Sequence, residues 1–202
     1  MILPIHPTSR SIDVVLNADI FPEILFYSVA LCRARLRARG VKNTDGVYTR
    51  GTYNWIYLTQ VCSLWRDIAL ETPSLWSFMD MRFPPAVKAC IVRSKNRPLD
   101  VVLPIGVFFS QAEEVKRVFD EVMVHNRAYV RMRSLEVMVA RPIEMPSLCL
   151  LGTLKNYPML KTFEIYILDE GLQPPDTVTV PNIISNSPQL EELDILDGVQ
   201  YL

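Results

Sequence analysis

Leu160-Lys161-Thr162-Phe163-Glu164-Ile165 and Leu190-Glu191-Glu192-Leu193-Asp194-Ile195 decide how this 202-residue chain is read. Each places apolar residues at its first, fourth and sixth positions. Leu135-x-x-Met138-x-Ala140 has the same form, and the starts are 25 (135 to 160) and 30 (160 to 190) residues apart. The second and third copies each follow a proline and one further residue, Pro158-Met159 and Pro188-Gln189. Two readings stand: one strand unit repeated, or three ordinary amphipathic strands of an α/β sheet. The proline at a constant offset favours repetition. Side chains alternate across a strand. The residues around the second apolar position that face out are then Val137, Val139 and Arg141, next Thr162, Glu164 and Tyr166, and last Glu192, Asp194 and Leu196.

Upstream, strand-like and helical runs alternate. Ser77 to Met81 reads as a strand. Val87, Cys90 and Ile91 suggest a helix to about Asn96. Leu99, Val101 and Leu103 alternate as a strand does. Ser110 with Glu113 has capping-box spacing and opens a helix bearing Val115, Val118, Phe119 and Val122. Strand and helix in series imply parallel pairing, and an L-x-x-L-x-L strand at this period is that of a leucine-rich repeat. The expected fold class is α+β to α/β: an N-terminal helical unit, then irregular repeat-like strand and helix units with parallel strands. An uncapped repeat array exposes its core. Tyr201-Leu202 directly follows a repeat strand, so a truncated or covered end is expected.

The N-terminal third is helical. Residues 1–15 read as a flexible lead, interrupted by Pro4 and Pro7. Pro22 follows Asp19 where a first helical turn tolerates proline. Leu25, Val29, Cys32 and Leu36 then recur at steps of 4, 3 and 4, one face of a helix ended by Gly40. Gly40, Asn43, Asp45, Gly46 and Gly51 mark a loop over 38–52. Leu58, Val61, Cys62, Trp65, Ile68 and Ala69 form a continuous stripe, predicting one helix from near Thr52 to before Pro73. Thr72-Pro73-Ser74-Leu75-Trp76 reads as a cap, a proline at the first position and a short turn. The domain division is thus 16–80 helical and 81–202 repeat-like.

Composition narrows the function. Lys plus Arg is 21 and Asp plus Glu is 22, a net charge of −1, which disfavours a generally basic nucleic-acid binder. Arg33, Arg35, Arg37 and Arg39 fan around a helix rather than forming a stripe, and they suit a solvated helix end. Residues 162–202 hold eight acids and no Lys or Arg. That favours a basic target, with plain solvation as the alternative. Cys32, Cys62, Cys90 and Cys149 form no C-x-x-C pair and His6 and His125 are the only histidines, so no metal site, disulfide framework or cofactor is expected. With 7 glycines against 15 prolines, no Gly-rich phosphate loop can be assembled. No nucleophile, base and orienting group stand at a recognisable spacing, and no enzyme is expected. The longest apolar run, Phe21 to Cys32, includes Glu23 and is too short to span a bilayer. No export signal is evident, so an intracellular, reducing compartment is expected, cytoplasmic or nuclear, with neither membrane nor nucleic acid as partner.

Two motifs together carry a resemblance. Ile20-Phe21-Pro22-Glu23-Ile24-Leu25 is the first. Val61-Cys62-Ser63-Leu64-Trp65-Arg66-Asp67-Ile68-Ala69, continued by Thr72-Pro73-Ser74-Leu75-Trp76, is the second. The chain resembles F-box proteins of the large fungal type, in which a three-helix F-box precedes irregular leucine-rich repeats. Arg93-Ser94-Lys95-Asn96-Arg97-Pro98-Leu99 looks like that family's helix-to-strand junction. Phe21 stands where the family has proline, and Ile20 where it has leucine. The resemblance implies a substrate-receptor subunit of an SCF ubiquitin ligase, docked on a Skp-type adaptor and recruiting a target through its repeats. Ile20, Pro22, Ile24, Leu25, Val61, Cys62, Trp65, Leu75 and Trp76 are the expected adaptor contacts. Val137, Val139, Arg141, Thr162, Glu164, Tyr166, Glu192 and Asp194 are the expected target contacts. An adaptor-independent interaction scaffold is the alternative, and it predicts that the Trp-bearing helices pack wholly against the repeats, leaving no exposed apolar patch.

Overall fold

The computed structural model describes residues 20–38, 53–105, 112–139, 156–167, 183 and 185–197. Helix α1 runs Ile20–Ala38, with Pro22 and Glu23 in its first turn, where a missing N–H and a negative charge are both tolerated. It buries Phe21, Leu25 and Val29 at steps of four. Gly40, Ser110 and the loop expected over 38–52, apart from the end of α1, lie outside the described residues.

The single helix expected over 52–72 is two elements. A 3₁₀ helix spans Asn54–Gln60 and α2 spans Ser63–Glu71. Cys62 between them is fully extended, with φ −154° and ψ 170°. Val61, Cys62 and Ser63 are all middling helix formers, and local packing overrides the stripe. Val61 is consequently exposed while Trp55 and Ala69 are buried. The proline-led turn at Pro73–Trp76 forms as predicted. Thr72, however, does not cap it: its hydroxyl donates back to the Ile68 carbonyl at 2.6 Å.

Among the described residues five strands follow: β1 Phe78–Asp80, β2 Leu99–Ile105, β3 Met132–Val139, β4 Thr162–Ile167 and β5 Glu192–Asp197. They form one parallel sheet in chain order. Helix α3, Pro84–Arg93, connects the first two strands. Helix α4, Ala112–Phe119, continues as a π-helical turn over Asp120–His125 and leads to β3. Pro104 is tolerated within β2 for a geometric reason. Asp100 and Val102 bond towards β1, through Asp100 N to Ser77 O and Met81 N to Val102 O. Pro104 points the same way, beyond the end of β1, where no ladder partner needs its N–H.

Register fixes the apolar repeat. Leu135 pairs with Phe163 and Phe163 with Leu193, while Val137 pairs with Ile165 and Ile165 with Ile195. The matching unit in β3 is therefore Met132-x-x-Leu135-x-Val137, three residues before the alignment expected from sequence. Three is odd, so the slip exchanges the two faces of the strand. Val137 and Val139 point into the core, fully buried, and Met138 faces out. Further back, Met79 pairs with Val101 and Val101 with Leu135. Trp76-x-x-Met79-x-Met81 thus occupies the same positions at the start of the sheet. One apolar core runs from α1 through these rows to β4, with Leu190 packed against its end.

Candidate interaction surfaces

The β1 end of the sheet is closed by the helical unit. Trp76 carries the junction: its indole Nε1 donates to the Ala69 carbonyl at 2.8 Å, Trp55 meets it edge-on at 5.0 Å, and the Arg93 guanidinium lies 4.2 Å over its ring. Tyr53 reaches the strand edge, where its hydroxyl accepts the Asp80 N–H at 2.9 Å. Burial, with Cys90 and Asp80 nearby, raises the Tyr53 phenol well above its ordinary value. Burial likewise pushes the Cys90 thiol up to about 12. A thiol so protonated is a poor nucleophile.

The opposite side of the helical unit is apolar and open. Ile20, Ile24, Tyr27 and Leu31 follow one another at steps of 4, 3 and 4 along α1 and are 51%, 36%, 68% and 40% exposed. Ile20 and Ile24 each precede a buried residue, Phe21 and Leu25, by one position, and Tyr27 precedes the buried Val29 by two. Phe21 stacks on Trp65 with ring centroids 4.2 Å apart, which ties α1 to α2. Leu64 in the first turn of α2 and Val61 shortly before it are also exposed. Among the described residues the buried Trp65 indole Nε1 has no hydrogen-bond partner.

The expected adaptor contacts therefore divide. Ile20, Ile24 and Val61 lie on the open surface; Pro22, Cys62 and Trp65 are half-buried. Leu25, Leu75 and Trp76 are core residues, because the helical unit needs them to pack on the sheet, and they are not available to a partner. Tyr27, Leu31 and Leu64 were absent from the sequence-based set. The offset stripe on α1 was the signal for the first two. Phe21, read from sequence as a departure at a docking position, is fully buried.

No protein-family model matches the chain, and no curated protein or solved structure is significantly similar to it. The surfaces themselves are what bears on function.

The outer face of the sheet is the second surface. α1 overhangs one side of it. Phe26, Val29 and Ala30 wall a groove of about 820 Å³ whose opposite lining includes Phe78, Asp100, Ser134, Glu136 and Thr162. Across β2 and β3, Arg133 grips Asp100 with Nε 3.0 Å from Oδ1 and Nη2 2.8 Å from Oδ2. Farther along, Glu136, Glu164 and Asp194 stand side by side on β3, β4 and β5. Like charges directly opposed across strands repel. The Tyr166 hydroxyl eases this by donating to Glu164 at 2.7 Å. Thr162, Glu164, Tyr166, Glu192 and Asp194 all belong to this outer row. Val137 and Val139 do not, and Arg141 lies outside the described residues.

Among the described residues no cluster of His, Cys, Asp or Glu is placed to hold a metal ion, and no helix is long and apolar enough to cross a membrane. His125 Nδ1 lies 2.9 Å from the Asp120 carbonyl, at the exposed end of the π-helical turn.

Proposed function

We propose that this chain is the substrate-receptor subunit of an SCF-type ubiquitin ligase, binding a Skp-type adaptor with the helical end and a target protein with the sheet. The apolar stripe of Ile20, Ile24, Tyr27 and Leu31 carries the proposal. A solvent-facing apolar stripe on a helix that already buries Phe21, Leu25 and Val29 against its own core marks an interface. It begins in the Ile20-to-Leu25 segment that resembles the start of an F-box. The surplus of acids over 162–202 suits a basic target. In this role the chain binds and positions, in the cytoplasm or nucleus, and performs no catalysis of its own. An adaptor-independent scaffold would have its helices packed without such a stripe, and the exposed residues weigh against it.

The test is a titration of the purified chain with a Skp-type adaptor, beside an Ile20→Asp, Ile24→Asp double variant. Both side chains are exposed, so the variant retains its fold. Binding by the intact chain and a loss of roughly tenfold or more in the variant is the expected result. Val92→Asp, on exposed α3 surface, serves as the control and binds as the intact chain does. No binding by the intact chain overturns the adaptor role and leaves the scaffold.

A further inference from the structure

Leu193 and Ile195 occupy the register positions of Phe163 and Ile165. The latter pair is fully buried, yet Leu193 and Ile195 are 40% and 47% exposed. Among the described residues nothing pairs with the far edge of β5. Glu192 N bonds to Lys161 O on the β4 side. Bonding direction alternates along a strand, so the N–H and C=O groups of Leu193 and Ile195 point to the open edge. β5 therefore offers an extended backbone partner, two apolar side chains on the core side and two carboxylates, Glu192 and Asp194, on the outer side.

We infer that β5 adds an extended segment of a partner protein as a sixth strand, and that this segment alternates aliphatic residues with Lys or Arg. Strand addition takes its affinity from the main chain and its specificity from alternate side chains. Aliphatic residues on one face of the incoming strand would cover Leu193 and Ile195. Basic residues on the other would lie beside Glu192 and Asp194, continuing the row with Glu164 and Glu136 by opposite charge. A second copy of this chain fits less well. A twofold pairing of β5 with itself sets Glu192 and Asp194 against the same carboxylates of the other copy. This inference rests on the sheet being the target-binding part and is independent of the adaptor.

The probe is a fluorescent peptide of about seven residues alternating valine and lysine, with a control in which glutamate replaces lysine. Both are titrated by anisotropy into the full chain and into a Glu192→Lys, Asp194→Lys variant. The lysine peptide binds the natural chain roughly tenfold more tightly than the glutamate peptide, and the variant reverses that preference. Hydrogen exchange supplies a readout that does not depend on the variant: the lysine peptide slows the Leu193 and Ile195 amides. Binding of neither peptide, equal binding of both, or unchanged exchange overturns the inference. So does a concentration-dependent dimer that protects the same two amides without peptide. Adaptor titration is unaffected by any of these outcomes, so failure here and failure of the adaptor role are distinguishable.

Discussion

The two ends of the sheet carry the same apolar pattern and meet opposite fates. At the β1 end, Met79 and the following Met81 are fully buried in one core with Trp55 and Trp76, and Tyr53 binds the strand edge. At β5, Leu193 and Ile195 hold the equivalent positions and are half exposed. Apolar character at a strand position says which face it belongs to. The neighbouring element decides whether that face is covered. One end of the sheet is covered by helical elements, while among the described residues nothing pairs with the β5 edge at the other.

The largest break in this comparison comes from the middle of the sheet. Phe163→Ala should cost about 3–5 kcal/mol, since a fully buried ring leaves a cavity. Ile195→Ala, at an equivalent position, should cost about 1 kcal/mol or less, because much of that side chain never leaves water. Urea unfolding of both variants measures the gap, and equal losses would mean that the β5 edge is as well covered as the centre. Next in size is Tyr53→Phe, which strips the acceptor from the Asp80 N–H at the closed edge. A loss of about 1–3 kcal/mol is expected for a buried donor left unsatisfied.

The closed end also sets an alkaline limit. The Cys90 thiol is raised from 9.0 to about 12, and Tyr53 is raised as well. Above pH 9 the unfolded chain sheds these protons while the folded chain keeps them. Stability is therefore complete below pH 9 and falls as pH rises towards 12. Cys90→Ala should flatten that decline, read as the slope of the unfolding midpoint against pH. The smallest effect is at the junction between α3 and β2. Lys95 holds a left-handed φ of 50°. Lys95→Gly should raise stability by up to about 1 kcal/mol, measurable as a shifted thermal midpoint.

The parallel sheet is legible in the sequence because strand and helix alternate from Phe78 onward and the L-x-x-L-x-L segments recur. Its phase is harder to read. Leu135, Met138 and Ala140 satisfy the pattern as well as Met132, Leu135 and Val137, and only pairing with β2 and β4 separates them. That single ambiguity moved Val137 and Val139 from the core to the surface. On α1 two neighbouring stripes both qualify as a buried face. Sequence periodicity finds the wide apolar sector. Packing against Trp65 and the 3₁₀ segments selects Phe21, Leu25 and Val29 for the interior. The split at Cys62 is equally local, invisible in a stripe continuous across it.

In the proposed role, the exposed side of α1 is the seat of an adaptor. Hydrogen exchange of the full chain, with and without a saturating Skp-type adaptor, is the deciding measurement. Slowed exchange over 20–31 and 61–64, with β3 to β5 unchanged, is the expected result. Protection confined to the strands, or none anywhere, would contradict it.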